Sequence, residues 1–352
     1  MKIAILTIID FTNYGNRLQN YALQAKIKEI YKDAEVDTIG GCSKHILSYV
    51  YPIISPLTFV PILKRKKKMI KNDNSKTINL DRYSKKKLCM LNDEYDAFVI
   101  GSDQIWNPGY VENPFVKFAM FADSEKCMAY SASFGVNEIK KKKVKAFIEG
   151  LNHIPYISTR EIKGQELVKT LTGKDVPVVL DPTLLLNKLD WQKYAKPVNG
   201  KPKSYILTYG FSLPKVFREY VDKVAKKYNL EVININKFSN KFTTVTAQEF
   251  VDIILNAKLV CTNSFHGHAL SIALEKPFVS FSSKQVSNSR ITSILKITGL
   301  ENRNYKTLKE EDLFKLDYQD VNERLNKERE KSMEFLKKSL ESILNSQKKV
   351  KF

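Results

Sequence analysis

Short apolar runs alternate with amphipathic segments along most of the chain. Residues 3–8 and 97–100 are almost wholly apolar, as strands covered on both faces are. Residues 18–31 carry apolar side chains at helical spacing and predict a helix after the first strand. Further strands are predicted at residues 127–132, 157–158 and 178–180. This alternation is typical of an α/β fold with a mostly parallel sheet.

A second series of strands follows a polar stretch at residues 187–203, which contains Pro197, Gly200 and Pro202 and is interpreted as an interdomain connection. Its predicted elements are strands at 205–209, 232–235, 259–261 and 277–281 and a helix at 247–256. The predicted architecture is two Rossmann-like domains facing a cleft, residues 1–186 and 187–320, followed by an amphipathic helix at 321–352. In such folds ligands bind where the carboxyl ends of strands meet helix N-termini.

Residues 43–90 are predicted to be a basic and apolar insertion in the first domain. Within it, residues 46–63 carry no formal charge and precede five consecutive basic residues, 64–68. The length approaches that of a membrane span, but Pro52, Pro56 and Pro61 disfavour a spanning helix. Two alternatives stay open: an interfacial segment whose lysines contact anionic lipid, or a loop packed on the core beside a solvated charge run.

The amino-acid composition gives the chain a strong positive charge. The 352 residues include 58 Lys and Arg against 38 Asp and Glu, for a net charge of +20. Such a charge attracts polyanions or phosphorylated substrates, or reflects a lysine-rich surface. The chain carries no compact module for reading nucleic acid, so no nucleic-acid partner is expected. Four widely spaced cysteines and the lack of a cleavable signal predict a cytoplasmic location.

The strongest chemical signal is residues 262–271, TNSFHGHALS, which follow a predicted strand and open a helix. Backbone amides at such a turn receive anions, so Ser264, His266 and Gly267 are candidate ligands of an anionic group. His266 is also a candidate proton donor near neutral pH. His268, inside the helix, is interpreted as a packing residue.

The loop after the first strand contains Gly15, Asn16 and Arg17. Gly15 allows close backbone approach or a positive φ angle, and Arg17 could bind a phosphate or carboxylate. A helix cap with a solvent-facing arginine is the alternative.

Residues 101–108, GSDQIWNP, place hydrogen-bonding groups beside a flat ring. Asp103, Gln104, Trp106 and Asn107 form a candidate sugar-binding set. The alternative is a buried Trp106 with a helix-capping Asp103.

Two more arginines follow predicted strands. Arg160 offers two parallel donors to a carboxylate, and Arg290 is a second cation across the cleft. We find no Ser-His-Asp order, no DxD sequence and no metal-ligand cluster, so neither a metal nor a cofactor is expected.

Taken together, these motifs resemble the polysaccharide pyruvyl transferases. Their order along residues 1–300 matches that family: GN and LQNYALQ at residues 15–24, GSDQIWNP at 101–108, SASFG at 131–135, STRE at 158–161, LDPTL at 180–184, SFHG at 264–267 and NSRI at 288–291. The resemblance implies a GT-B-like fold, phosphoenolpyruvate as donor, and a glycan hydroxyl pair as acceptor that becomes a cyclic pyruvate ketal on a bacterial surface polymer.

The resemblance is incomplete at residues 264–266, Ser-Phe-His, where better-known members carry Arg-Leu-His and so an arginine that helps to hold the donor. Arg160, Arg17 or Arg290 is expected to supply the missing charge. We assign His266 to the phosphate or to proton donation, Arg160 to the carboxylate, and Asp103 to the role of base.

Two other functions are consistent with the sequence. A GT-B-like glycosyltransferase using a nucleotide sugar would have much the same architecture, and a non-catalytic protein could bind glycan or anionic membrane through its charge. Whether the acceptor is lipid-linked, and whether the protein sits at the inner face of the membrane, stays open.

Overall fold

Two parallel β-sheets form the centre of the protein. The computed structural model describes residues 1–41, 56–73, 75–210, 213–235, 241–281 and 289–350. Within these ranges the first sheet has the strand order β3-β2-β1-β4-β5-β6 and the second has the order β10-β9-β7-β8. The strands are β1 (Lys2–Leu6), β2 (Glu35–Gly40), β3 (Thr77–Asn79), β4 (Ala97–Ile100), β5 (Cys127–Ala132), β6 (Tyr156–Thr159), β7 (Tyr205–Tyr209), β8 (Glu231–Asn234), β9 (Leu259–Thr262) and β10 (Phe278–Ser280).

Helices connect successive strands, as right-handed parallel crossovers require. They are α1 (Tyr14–Ile30), α2 (Pro56–Lys71), α3 (Lys85–Glu94), α4 (Pro114–Lys117), α5 (Lys141–His153), α6 (Ile162–Thr172), α7 (Pro182–Leu185), α8 (Lys188–Tyr194), α9 (Lys215–Tyr228), α10 (Ala247–Asn256), α11 (Phe265–Ala273), α12 (Ser289–Thr298) and α13 (Gln319–Val350). The two parallel sheets confirm the predicted α/β class.

Apolar periodicity identified most of these elements. The strands predicted at 127–132 and 205–209 and the helix at 247–256 have the predicted bounds. The prediction of a strand at residues 178–180 is wrong, because only a single bridge joins Val178 to Thr159.

Two strands of the first sheet, β2 and β3, were not predicted. β2 contains Asp37, which is buried and accepts a hydrogen bond from the Tyr95 hydroxyl at 2.7 Å. Lys76 adds an ion pair to Asp37 at 3.1 Å. These long-range partners satisfy a buried charge, so the strand carries no apolar run that would reveal it.

The basic run after the apolar segment is not simply a solvated face. It lies in helix α2, which contains Pro61. Arg65 is buried and donates to the carbonyl of Thr12 in the first domain at 3.2 Å and to the carbonyls of Ile235 (2.9 Å) and Thr243 (2.5 Å) in the second. Arg65 therefore ties the two domains together.

Membrane contact was one of the two alternatives for residues 46–63, of which 46–55 lie outside the described residues. None of the helices in the described ranges combines the length and the apolar character of a membrane span.

The long helix α13 packs back on the first domain. Leu336 and Leu340 are fully buried, and the Ser332 hydroxyl accepts a hydrogen bond from the backbone N–H of Leu180 at 3.0 Å. Arg329 donates to the carbonyl of Leu184 at 2.7 Å. The helix thereby braces the segment of residues 180–185, which lies beside the candidate site.

Candidate active site

The carboxyl ends of β4, β5 and β6 carry the polar groups of the candidate site. Strand register places the ends of β4 and β5 side by side, with Ile100 opposite Ala129. Asp103 and Ser131 adopt positive φ angles, +70° and +54°. Non-glycine residues in this conformation cost about 1–3 kcal/mol and cluster at functional sites. The backbone strain of the first sheet is thus concentrated at this edge.

Arg160, directly after β6, forms a buried ion pair with Asp181. Its Nη1 lies 2.7 Å from Oδ2 of Asp181, and both side chains are at most 1% exposed. Ser102 donates to the same carboxylate oxygen at 2.8 Å, and Thr183 donates to the other through its backbone N–H and its hydroxyl. A charge pair this deeply buried is stable only because its remaining lone pairs are satisfied in this way.

The opposite edge of the Arg160 guanidinium is unpaired. Nε and Nη2 are buried and have no hydrogen-bond partner among the described residues, while Oε2 of Glu161 lies 3.9 Å from Nε. A planar fork with two parallel donors matches the two oxygens of a carboxylate. This edge has the donor geometry that a carboxylate requires, although it is buried.

His266, at the start of α11, lies in the same cluster. Its Nε2 is 3.9 Å from Oδ2 of Asp181 and has no hydrogen-bond partner among the described residues. The imidazole lies against Gly15, where an added Cβ would fall 2.6 Å from Cβ of His266. Only glycine at position 15 lets the helix α1 start this close to the ring.

Opposing charges set the protonation states of the cluster. Burial lowers the pKa of His266; Asp181 and Asp103 raise it, and Arg160 and Arg290 lower it further, for a net decrease. Burial raises the pKa of Asp181, but Arg160 and His266 outweigh it and hold this pKa at about 2. The pKa of Asp103 is lowered in the same way, against burial, by His266 and Arg160. The cluster therefore combines the side chains of Asp103, Asp181 and Glu161 with two guanidinium groups and an imidazole that is neutral at neutral pH.

The second domain closes the cluster from the other side. The Arg160 guanidinium lies 4.2 Å from the ring centre of Phe265. Tyr209, at the end of β7, is buried and interacts with the backbone of Gly15 and the hydroxyl of Ser264. A ligand can reach Arg160 only if covering side chains such as Phe265 move.

Seven residues predicted from sequence lie in or against this cluster: Gly15, Asn16, Asp103, Arg160, Ser264, His266 and Arg290. Asn16 donates to Oδ2 of Asp103 at 3.0 Å, and the backbone N–H of Gln104 donates to Oδ1 at 2.8 Å. Both carboxylate oxygens of Asp103 are thus engaged. Gly267 packs against Thr262 and serves the contact between α11 and β9.

Two predicted site residues lie elsewhere. Trp106 is fully buried, its ring centre lies 5.5 Å from that of Phe118, and its Nε1 donates to the carbonyl of Lys117. Its interpretation as a sugar-binding ring is therefore wrong. Arg17 is buried in an ion pair with Asp73 on another face of α1, so it does not supply the missing charge.

Gln104 and Asn107 are half-buried and hydrogen-bonded to each other at 2.6 Å. The Gln104 side chain lies against Gly135. This pair remains at the rim of the loop that carries Asp103.

Asp181, Ser102 and Tyr209 were missed as site residues by sequence reasoning. In the sequence, Asp181 and Pro182 only mark the end of the strand predicted at residues 178–180. A buried aspartate after an apolar run, within LDPTL, was the available clue. His268, as expected, packs in the core: its Nε2 lies 2.8 Å from the Ser280 hydroxyl.

Metal-ligating groups are not clustered in the part of the chain that the structure describes. No set of three or more His, Cys, Asp or Glu side chains there could hold a metal ion.

Solved structures with the same architecture include two that cover most of this chain. A protein of Listeria monocytogenes assigned as a UDP-N-acetylglucosamine 2-epimerase has a TM-score of 0.52 at 10% identity, over 92% of this chain and 90% of its own. MnaA of S. aureus, solved with UDP, has a TM-score of 0.50 at 10% identity, over 93% and 90%. At this identity the similarity concerns the fold, and it confirms the predicted GT-B-like arrangement.

A search of curated proteins finds no match to the chain. The family model described as "Polysaccharide pyruvyl transferase" matches residues 13–285, a span that contains Gly15, Asp103, Arg160, Asp181 and His266. With this match over most of its length, the chain belongs to the polysaccharide pyruvyl transferase family.

Proposed function

We propose that this protein transfers a pyruvyl group from phosphoenolpyruvate to two hydroxyls of a glycan sugar and releases inorganic phosphate. The observation that carries the proposal is a pair of unpaired groups around Asp181: the Nε–Nη2 edge of Arg160, whose Nη1 binds Asp181, and Nε2 of His266, 3.9 Å from the same carboxylate oxygen. Phosphoenolpyruvate has a carboxylate and a phosphate joined through one carbon, so it requires two adjacent anion-binding groups of this kind.

The carboxylate of the donor binds the free edge of Arg160. Asp181 holds the other side of the guanidinium at 2.7 Å, which fixes the plane of the fork before the donor arrives. Preorganised donors of this kind avoid the reorganisation that weakens electrostatic stabilisation in water. Arg290, which interacts electrostatically with Arg160 and Asp103, adds positive charge for the phosphate.

His266 donates the proton that is added to phosphoenolpyruvate. Its pKa is lowered in the free protein, and a bound phosphate dianion raises it again because an opposite charge stabilises the imidazolium. Donor binding therefore favours the protonated form of the imidazole. His266 is then the general acid, a role that contributes about 10²–10⁴ in rate.

The chemical steps balance without a redox partner. A proton from His266 adds to the methylene carbon of phosphoenolpyruvate while a sugar hydroxyl forms a bond to the neighbouring carbon. The proton of that hydroxyl passes to the phosphate group, the bond from the carbon to the phosphate oxygen breaks, and hydrogen phosphate leaves. The second sugar hydroxyl then attacks the same carbon, and the proton it releases restores the acid.

Asp103 serves this mechanism as a fixed negative charge. Its pKa is lowered and its two oxygens accept hydrogen bonds from Asn16 and Gln104. A carboxylate held in this way is a weak proton acceptor, but it supports the imidazolium of His266 by charge. This role replaces that of general base, for which Asp103 was first considered.

The test is release of phosphate from phosphoenolpyruvate by the purified full chain, with and without a pool of lipid-linked oligosaccharide. We expect acceptor-dependent release and a glycan mass gain of one pyruvate ketal. Arg160→Lys keeps the charge but loses the fork, so it should weaken donor binding by about 10²-fold, two charge-assisted hydrogen bonds being lost. Arg218→Lys, an exposed arginine on α9, is the matched control.

Calorimetry of donor binding in two buffers of different ionisation enthalpy measures how many protons the protein takes up. It therefore tests whether His266 is the group that is protonated when the donor binds. Wild-type protein should take up a proton on binding at pH 7, and His266→Gln should not, while His153→Gln on α5 should behave as wild type. Binding of a nucleotide sugar with phosphoenolpyruvate ignored would refute the proposal and favour a glycosyltransferase.

A further inference from the structure

A cavity of about 330 Å³ lies between α1 and the start of α10. Its wall is formed by one face of α1 together with Tyr194 of α8 and Gln248 of α10. Its volume falls within the range of small-molecule sites, about 300–1,000 Å³. None of the groups that bind the donor in the mechanism above lines it.

Three residues of the wall carry buried side-chain atoms without a hydrogen-bond partner among the described residues. They are Nη1 of Arg17, Oδ1 of Asn20 and Oε1 of Gln248. Arg17 is 6% exposed and Asn20 1% exposed. Buried polar atoms left unpaired are costly, so three around one cavity indicate a ligand that pairs them.

These three atoms are suited to hydrogen bonds with hydroxyl groups of a ligand. One donor and two acceptors are available, and a hydroxyl both donates and accepts. The charge of Arg17 is already matched by Asp73, which also lines the cavity. A neutral, hydroxyl-rich ligand therefore fits this wall better than a phosphate or diphosphate.

Aromatic rings form another part of the wall. Tyr21 and Tyr194 have ring centres 3.9 Å apart with planes tilted by 31°, and both side chains are half-buried. A sugar ring presents hydroxyls at its edge and apolar C–H groups on its faces, so it can pack on tyrosine while its hydroxyls reach the polar atoms.

The same helix serves both sites. Gly15 and Asn16 contact the reacting cluster, and Arg17 and Asn20 follow at once on another face of α1. With 3.6 residues per turn, positions 15 and 17 point about 200° apart, so the cavity lies on the side of α1 opposite to Gly15. An acceptor chain that occupies both sites therefore spans the width of α1, about 10 Å.

We propose that this cavity is an acceptor subsite that binds a neutral sugar residue of the acceptor chain, on the side of α1 opposite to the sugar that is pyruvylated. The inference rests on the proposed function for the identity of the acceptor. It also gives the acceptor an aromatic contact, a role for which Trp106 is unsuited because it is buried.

Binding is tested on the full chain by saturation-transfer NMR with three probes: methyl β-lactoside, methyl β-cellobioside and methyl β-chitobioside. We expect transfer to at least one probe, weakened about threefold to tenfold by Tyr194→Ala and by Gln248→Ala. Tyr194→Phe keeps the ring and should bind as wild type, which separates ring loss from misfolding. Tyr228→Ala, at the far end of α9, is the matched control.

Transfer to none of the probes, transfer unchanged in Tyr194→Ala, or displacement of the probe by UDP would overturn the inference. Kinetics distinguish it from the proposed function. Tyr194→Ala should raise the KM of the oligosaccharide about threefold to tenfold and leave the KM of phosphoenolpyruvate unchanged. Phosphate release with an unchanged acceptor KM overturns the subsite alone, whereas probe binding without phosphate release overturns the reaction alone.

Discussion

The contact between Gly15 and His266 gives the sharpest prediction, because one methyl group perturbs it. In Gly15→Ala the new Cβ would lie 2.6 Å from Cβ of His266 and closer still to its Nδ1 and Cγ. Ordinary van der Waals contact begins at 3.4 Å. The imidazole must therefore shift by about 1 Å, or the start of α1 must move by that amount.

The consequences for stability and activity differ in size. Alanine favours a helix over glycine by up to about 1 kcal/mol, which offsets part of the clash, so the free energy of unfolding should change by less than about 2 kcal/mol. A misplacement of about 1 Å costs a catalytic group about 10²-fold in rate, equivalent to about 2.7 kcal/mol in the activation barrier. Activity should fall far more than stability.

The assay is kcat for phosphate release together with the thermal midpoint of unfolding. Gly150→Ala is the control, because its Cβ would lie 2.8 Å from Cδ1 of the Phe118 ring, in a helix outside the site. That variant should lose stability but keep kcat per folded molecule. A kcat of Gly15→Ala within threefold of wild type would refute the positioning of His266 by this glycine.

Three further predictions concern buried charges. Asp181→Asn leaves the Arg160 guanidinium buried without its partner and should lower the free energy of unfolding by about 3–5 kcal/mol, measured by urea denaturation; a loss below 1 kcal/mol would contradict the buried pair. The pKa of Asp181 is lowered from 3.8 to about 2, so its contribution, roughly 2 kcal/mol, is present above pH 4 and is lost as the pH falls towards 2; the Asp181→Asn variant should lack this pH dependence between 5 and 2. Arg65→Ala removes hydrogen bonds to three carbonyls across the domains and should destabilise the protein by about 3 kcal/mol or more, whereas Lys67→Ala, an exposed residue of the same helix, should change calorimetric stability by less than about 0.5 kcal/mol.

Local sequence was sufficient to predict the elements and the edge of the sheet where the chemistry lies. Apolar periodicity depends on residues within a few positions of one another, so it located β1, β4, β5 and β7 without knowledge of their neighbours. Parallel strands present their carboxyl ends at one edge of each sheet, and ligands bind there. The predicted cleft between two such domains is why Arg160, after a strand of the first, and His266, after a strand of the second, could both be expected at one site. The motif order was enough to indicate the family.

Only the tertiary structure determined which partner each polar group has. Trp106 and Arg17 have the residue types of ligand-binding groups, but the first is buried beside Phe118 and the second is paired with Asp73. Asp181, which orients Arg160, follows a short apolar run that forms a single bridge. Whether a charge is left free for a ligand depends on groups distant in the chain, and no local pattern contains that information.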